Sequence, residues 1–224
     1  MGDQEEHGGI DLESKIISKK LLSRLPIYLN YLKGLPECAI DVSATKIAKA
    51  LNLGDVLVRK DLAKVSNGGR RKLGYERESL IRDIETFLDV NSMTCAVIVG
   101  AGKLGQALLD YTGFEESGLQ ILAGFDIQPA ALRTEGGKPL YGINRLAAFC
   151  QTHTVPIGII TVPAEHAQEA CDHLVSCGVG AIWNFSPAHL RVPEHVVVQS
   201  ENLAVSLTAL RMQLKNQKCW DAVQ

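Results

Sequence analysis

Apolar positions along the first ninety residues recur at helical spacing. Leu21, Leu25, Tyr28, Leu29 and Leu32 trace one face of an amphipathic helix. Pro26 sits inside that pattern. It fits either the first turn of a helix capped near Ser23 or a kink in a longer helix, and Gly34 and Pro36 end the segment. "DVSATKIAKALNL" predicts a second short helix, with Ser43 as N-cap and Ile47 and Leu51 on one face. Asn52 and Gly54 break the chain, and Asp55 is placed to cap a third helix, "VLVRKDLAKV". There Val58, Leu62 and Val65 form a core stripe, which leaves Arg59, Lys60 and Lys64 pointing outward. "SNGGRRKLGY" reads as a turn, with Gly68 and Gly69 supplying positive φ, followed by a short strand. "ESLIRDIETFLDV" predicts a linking helix, apolar at Leu80, Ile84, Phe87 and Leu88.

From Ser92 on the pattern changes. Short apolar runs at 94–99, 120–125, 156–161, 180–184 and 195–198 alternate with helical segments at 103–111, 143–151, 164–177 and 202–217. Apolar strands separated by helices imply a mainly parallel, doubly wound α/β sheet. Gly100, Gly102 and Gly105 form G-x-G-x-x-G between the first strand and its helix, and "LAGFD" ends the second strand at Asp126. This is the context in which such a turn cradles a dinucleotide. Gly100 permits the turn, Gly102 lets backbone approach a pyrophosphate, and Gly105 lets helix pack on strand. Asp126 accepts hydrogen bonds from the adenine ribose and repels a 2′-phosphate, so NAD(H) is expected over NADP(H).

Charge sharpens the division. Residues 14–77 hold fourteen Lys/Arg and five Asp/Glu, a net +9, whereas residues 78–224 hold nine and fifteen, a net −6. A basic module for an anionic partner is therefore joined to a near-neutral or acidic one. Two short helices and a tight turn, the second helix cationic on its free face, match a helix-turn-helix over 26–65. Such a helix fits the DNA major groove, and Arg70, Arg71 and Lys72 on a hairpin wing suit the adjacent minor groove.

At 46% hydrophobic and 21% charged, the 224-residue chain is neither disordered nor fibrous. No apolar run reaches the roughly 18 residues of a membrane span. Residues 1–13 are acidic and lack an apolar signal core, so they read as a flexible tail of a cytoplasmic protein. The six cysteines form no CxxC and no metal spacing, so no metal is expected; they read as buried thiols, with Cys171 and Cys177 the pair to consider for redox sensing. His153, His166, His173, His189 and His195 are scattered, with no spacing that selects an acid or base for hydride transfer. The strand ends "ITVPAEHA" and "NFSPAHL" offer Val162, Pro163, Phe185 and Pro187 as an apolar pocket wall.

Taken together, "RLPIYLNYL", "VRKDL", "RRKLGY", "VGAGKLG", the strand end at Asp126, "TVPAEHAQ", "NFSPAHLRVPEH" and "NLAVSLTAL" resemble the Rex family of bacterial redox-sensing transcriptional repressors, over about 23–216. The resemblance implies an N-terminal winged helix-turn-helix domain (14–78), a linking helix (79–91), a Rossmann-like domain (92–200) and a C-terminal helix (201–224). In a homodimer that helix swaps into the partner's interdomain cleft. NADH and NAD+ are the implied cofactors, held by Gly100, Ala101, Gly102, Lys103, Leu104, Gly105, Asp126, Ile127, Thr161, Val162, Pro163, Asn184, Phe185, Ser186 and Pro187. Palindromic double-stranded operator DNA is the implied partner, met by Ser43, Thr45, Val58, Arg59, Lys60, Lys64, Arg70, Arg71, Lys72 and Tyr75. Members repress respiratory or fermentative NAD+-regenerating genes and release DNA when NADH accumulates and the dimer closes. The two coenzyme forms differ by one charge on the nicotinamide, and an apolar wall penalises the cation. Three positions depart from the family pattern. Lys72 replaces a common wing glycine, and Asn30 and Asn202 replace an arginine and an aspartate that pair between subunits. The alternatives are a NAD- or CoA-dependent enzyme with a basic docking domain, and a DNA-binding regulator responding to another nucleotide such as CoA.

Overall fold

The apolar stripes of the first ninety residues close on one another as four helices and a two-stranded ribbon. The computed structural model describes residues 18–90 and 92–221, so the tail expected at 1–13 lies outside the described residues. The chain divides into two units, one up to residue 91 and one from residue 92 on.

In the first unit the elements run α1 (Lys19–Lys33), β1 (Asp41–Val42), α2 (Ala44–Ala50), α3 (Asp55–Val65), β2 (Tyr75–Glu76) and α4 (Arg77–Leu88). Leu21, Leu25, Tyr28 and Leu32 of α1 meet Ile47 of α2, Val58 and Leu62 of α3 and Leu80, Ile81 and Ile84 of α4 in one core. Of the two readings of Pro26, the longer helix holds: the residue lies inside a single α1. Its cap is Ser18, whose Oγ accepts from the Leu21 N–H at 3.2 Å, and the Ser23 hydroxyl instead donates to the Lys20 carbonyl. Asp55 does not cap α3; Gly54 occupies that position, and Asp55 is the first helical residue. The segment expected as a separate linker is α4, which buries three apolar side chains in this core. Gly68 and Gly69 do not take positive φ. The left-handed residues of the wing are Lys72 (φ 72°) and Gly74 (φ 90°), on either side of Leu73.

One acid, Asp61, is nearly closed off from solvent at 4% exposure. It is fully partnered: Arg24 donates to its two oxygens at 2.6 and 2.8 Å, and the Tyr28 hydroxyl donates at 2.9 Å. A bidentate guanidinium and a phenol offset the cost of burying the charge, and they tie α3 to α1.

The second unit begins with β3 (Thr94–Val99), α5 (Lys103–Leu109), β4 (Leu119–Asp126), β5 (Leu140–Gly142) and α6 (Leu146–Thr152). It continues with β6 (Ile157–Ile160), α7 (Ala164–Ser176), β7 (Ala181–Asn184), β8 (Val197–Ser200) and α8 (Leu203–Asp221). The sheet order is β5-β4-β3-β6-β7-β8 and every neighbouring pair is parallel. This is the doubly wound order of a Rossmann-like domain, with a topological switch between β3 and β6. Successive residues of β3 alternate between faces: Val97 and Val99 enter the core beneath α7, and Ala96 and Ile98 enter the core with Leu109 of α5. The last strand falls two residues later than its apolar run, since pairing with β7 runs from Val197 to Ser200, and Val196 lies buried just before it. Strand β5 is too short to show a period. Helix α8 exposes Leu203, Val205, Leu207, Leu210, Met212 and Leu214. On the sheet, Leu119, Ile157, Trp183 and Val197 line a separate, mostly apolar groove.

Burial, reinforced by the bond to Asp61, pushes the Tyr28 hydroxyl up to about 12. The unfolded phenol titrates near 10, so between about pH 10 and 12 the unfolded chain loses this proton first and stability falls. Replacing Tyr28 by Phe should cost about 1–3 kcal/mol at pH 7 through the lost bond to a charged acceptor. Urea unfolding at pH 7 and pH 11 should show the gap to wild type narrowing at the higher pH; a constant gap contradicts this account.

Candidate functional site

Strand β3 leads straight into the glycine turn. Gly100 has φ 104°, and a Cβ there would lie 2.9 Å from the Thr161 carbonyl carbon and from Val162 Cγ1. A Cβ on Gly105 would run into the Gly100 carbonyl oxygen and lie 2.9 Å from Thr161 Oγ1. The Thr161 hydroxyl donates to the Gly100 carbonyl at 2.6 Å and so closes the turn from the β6 side. Gly102 has nothing within 4 Å of its absent side chain, which leaves bare backbone facing open space. At the end of β4, Asp126 accepts from the Ala101 N–H at 2.7 Å and from the Gln128 N–H at 3.1 Å. Its carboxylate is thereby fixed beside the turn.

These groups open on a cavity of about 290 Å³. Among the expected residues, Gly100, Gly102, Asp126, Ile127, Thr161, Val162 and Pro163 line it. Ala101 contributes its N–H to Asp126, Gly105 sits buried behind the turn, and Lys103 and Leu104 are exposed on the first turn of α5. Asn184, Phe185, Ser186 and Pro187 are not among its walls. Asn184 is buried, accepting from the Ser186 N–H and donating to the Ala188 carbonyl, both at 2.9 Å. Ser186 Oγ accepts from the Ala188 N–H, so both polar side chains serve their own loop. The Phe185 ring rests on Trp183 at 4.6 Å between centroids, and Pro187 is exposed. The sequence reading missed Val99, Ile143, His166, Glu169, Ala170 and His173. The last four share one face of α7 at i, i+3, i+4 and i+7, a legible helical spacing, but its polar members read as solvated surface.

On the first unit, Thr45, Arg59, Lys60, Lys64, Arg70, Arg71 and Lys72 are exposed. Ser43 is engaged as the cap of α2, accepting from the Lys46 N–H at 3.1 Å. Val58 is wholly buried; as a member of the core stripe it cannot reach a ligand. The wing closes through Arg70 and Gly74, which exchange two backbone hydrogen bonds, and Arg70 pairs with Asp41 at 2.9 Å. Tyr75 stands half-buried against the Gly69 backbone at the wing's root, and burial raises its hydroxyl pKa. Cys171 is buried, and Cys177 neighbours Cys150 instead, whose thiol burial pushes up to about 11. Among the described residues no group of His, Cys, Asp and Glu is arranged to hold a metal ion. Nor is any described helix long and apolar enough to cross a membrane.

Residues 91–188 match the family described as CoA binding domain, and residues 16–63 match that of a putative DNA-binding protein N-terminus. The chain is 38% identical over 210 residues to the redox-sensing transcriptional repressor Rex of Porphyromonas gingivalis, covering 91% of this chain and 96% of that one. The chain belongs to the Rex family. Its fold is that of RSP, a Rex-family repressor. RSP with beta-NAD+ and operator DNA superposes at a TM-score of 0.82 and 30% identity, over 93% of this chain and 97% of RSP. RSP with beta-NADH gives 0.82 and 29%, over 93% and 99%.

Against the Rex pattern, the wing lysine has a physical consequence: Lys72 holds a left-handed backbone that glycine adopts without cost. Asn202 accepts from the Val205 N–H at 3.0 Å and acts as the N-cap of α8, a role an aspartate fills equally well. Asn30 lies exposed on α1.

Two glycine substitutions separate the turn's architecture from its open face. Gly105→Ala should destabilise by about 1–3 kcal/mol, the usual cost of forcing a methyl into a closed site. Gly102→Ala should stay within about 1 kcal/mol of wild type, since its methyl meets no atom. Thermal unfolding of both full-length variants checks the contrast.

Proposed function

We propose that this chain is a homodimeric, DNA-binding transcriptional repressor of the cytoplasm that reads the NADH/NAD+ ratio and is not an enzyme. The observation that carries the reading is RSP, alike over nearly the whole chain, with beta-NAD+ and operator DNA in one structure and beta-NADH in another. By this reading Arg59, Lys60 and Lys64 of α3 enter the major groove of a palindromic operator, beside Thr45 of α2. Arg70, Arg71 and Lys72 grip the neighbouring minor groove, and Ser43 and Tyr75 support the two elements. Repression covers respiratory or fermentative genes whose products regenerate NAD+.

The second unit fits a dinucleotide. The turn 100–105 presents backbone at Gly102 to a pyrophosphate, and Asp126, fixed by two N–H groups, keeps lone pairs for ribose hydroxyls. Val162 and Pro163 supply an apolar wall that disfavours the cationic ring of NAD+. A ligand shifts a two-state dimer only by its differential affinity, and going from 1:99 to 99:1 takes roughly 5.5 kcal/mol. Two sites per dimer share that figure. The exposed apolar row of α8 supports a dimer in which this helix packs on a partner subunit. The match to a CoA binding domain keeps CoA as a second ligand reading, which the Asp126 carboxylate opposes by repelling a phosphate on the adenine ribose.

Fluorescence anisotropy on a palindromic duplex at fixed salt should show NADH lowering occupancy, with NAD+ and CoA leaving it unchanged. Equal effects of NADH and NAD+ reject the sensor; release by CoA alone selects the second reading. Gly102→Ala should bind DNA normally and no longer respond to NADH.

Neutralising Arg59, Lys60, Arg70, Arg71 or Lys72 singly should weaken DNA binding. Each lost phosphate contact should reduce the slope of log K against log salt by about 0.9. A full set of variants with unchanged affinity counts against this face.

A further inference from the structure

The cationic face of α3 carries an acid, Asp55, in its first turn, where a carboxylate also suits the helix dipole. Asp55 makes no capping bond, since Gly54 holds the cap position. Both its oxygens are occupied by side chains. The Thr45 hydroxyl of α2 donates to Oδ1 at 2.7 Å, and Arg59 Nη2 pairs with Oδ2 at 2.7 Å. Arg59 Nη2 also lies 3.4 Å from Thr45 Oγ1. The group stands in the open, with the Arg59 side chain 64% and the Asp55 side chain 37% exposed.

For mere attraction to a polyanion this arrangement is counterproductive. It places a carboxylate among Arg59, Lys60 and Lys64, where it repels phosphate. A free arginine on such a face turns to phosphates, which give affinity without sequence information. An arginine held through Nη2 keeps its Nε and Nη1 N–H donors for single hydrogen bonds to acceptors on a base edge. Specificity is a difference of affinities, and a repulsive group that weakens the wrong complex widens it.

We propose that Asp55 is a specificity-determining residue of the DNA-reading face: clamped by Thr45, it orients Arg59 toward a base edge and penalises docking on backbone alone. The proposal rests on the operator-binding reading above. It assigns Asp55 a positioning role through Arg59, and Thr45 a role in holding the carboxylate.

The test starts from a duplex selected out of a random pool by the full-length wild-type protein. Affinities for that duplex and a shuffled one are compared for wild type, Asp55→Ala and Asp55→Asn across a salt series. Both variants should lower the selected-to-shuffled ratio about tenfold, the order of one lost base contact. Shuffled-duplex affinity should rise, its salt slope steepening by about 0.9 as Arg59 takes a phosphate. A wild-type ratio in both variants, or equal weakening on both duplexes, overturns the proposal. A wild type that selects no sequence overturns the operator-binding reading instead.

Discussion

The second unit depends on one close approach, that of Gly105 to the Gly100 carbonyl. No side chain fits between them, so α5 starts directly against the turn that leaves β3. That contact fixes where the bare backbone of Gly102 lies. The same turn brings the Ala101 N–H to Asp126 and the Gly100 carbonyl to the Thr161 hydroxyl. Three strand ends, β3, β4 and β6, are thus joined by hydrogen bonds at the topological switch of the sheet, where open α/β sheets bind ligands. The cavity follows from that junction.

The first unit places two acids of one helix in opposite roles. Asp61 points inward and exchanges hydration for Arg24 and Tyr28, so α3 is held at a fixed rotation against α1. Asp55 points outward and holds an arginine. The rotation fixed by the first determines which cations face out. A recognition surface made of long, flexible side chains gains definition only if the helix beneath it cannot roll, and a buried bidentate pair resists rolling more than apolar contacts alone.

How far the sequence could be read follows from what each feature leaves in the pattern. The turn 100–105 was legible because Gly100 and Gly105 answer steric demands, Gly102 leaves backbone bare, and the strand and helix around them carry clear periods. Asp126 was legible by its distance along the chain. The loop 184–188 follows a strand, where Asn, Ser and Pro look like ligand-binding residues, and it lies outside the cavity walls. Asn184 and Ser186 instead satisfy the loop's own backbone, a partnership no local pattern records. Val58 showed the same ambiguity in reverse: its helical spacing already marked it as core, and only the functional reading placed it on the surface. The wing glycines were misplaced because four candidates for positive φ, 68, 69, 72 and 74, lie within seven residues, and a lysine took one of them. His166, Glu169 and His173 share a face of α7 that the sequence reading did not single out, because a cavity wall and a solvated surface share one hydrophilic pattern.

The charge division gives the two units different physics for two anionic ligands. On the proposed reading the basic stretch 14–77, at net +9, attracts DNA by releasing counterions, so its affinity falls steeply with salt. The second unit holds eight Lys/Arg and eleven Asp/Glu over 92–224, a net −3, and has no such reserve. Its cavity holds Asp126 and Glu169 and no lysine or arginine among its described walls. On the proposed reading a dinucleotide there is held by backbone N–H groups, ribose hydroxyl bonds and apolar contact, which salt screens little. On that reading ionic strength sets the level of DNA occupancy, and coenzyme sets the fraction of dimers able to reach it. A sensor built this way keeps its ratio reading when the salt changes, because the two ligands are recognised by different forces.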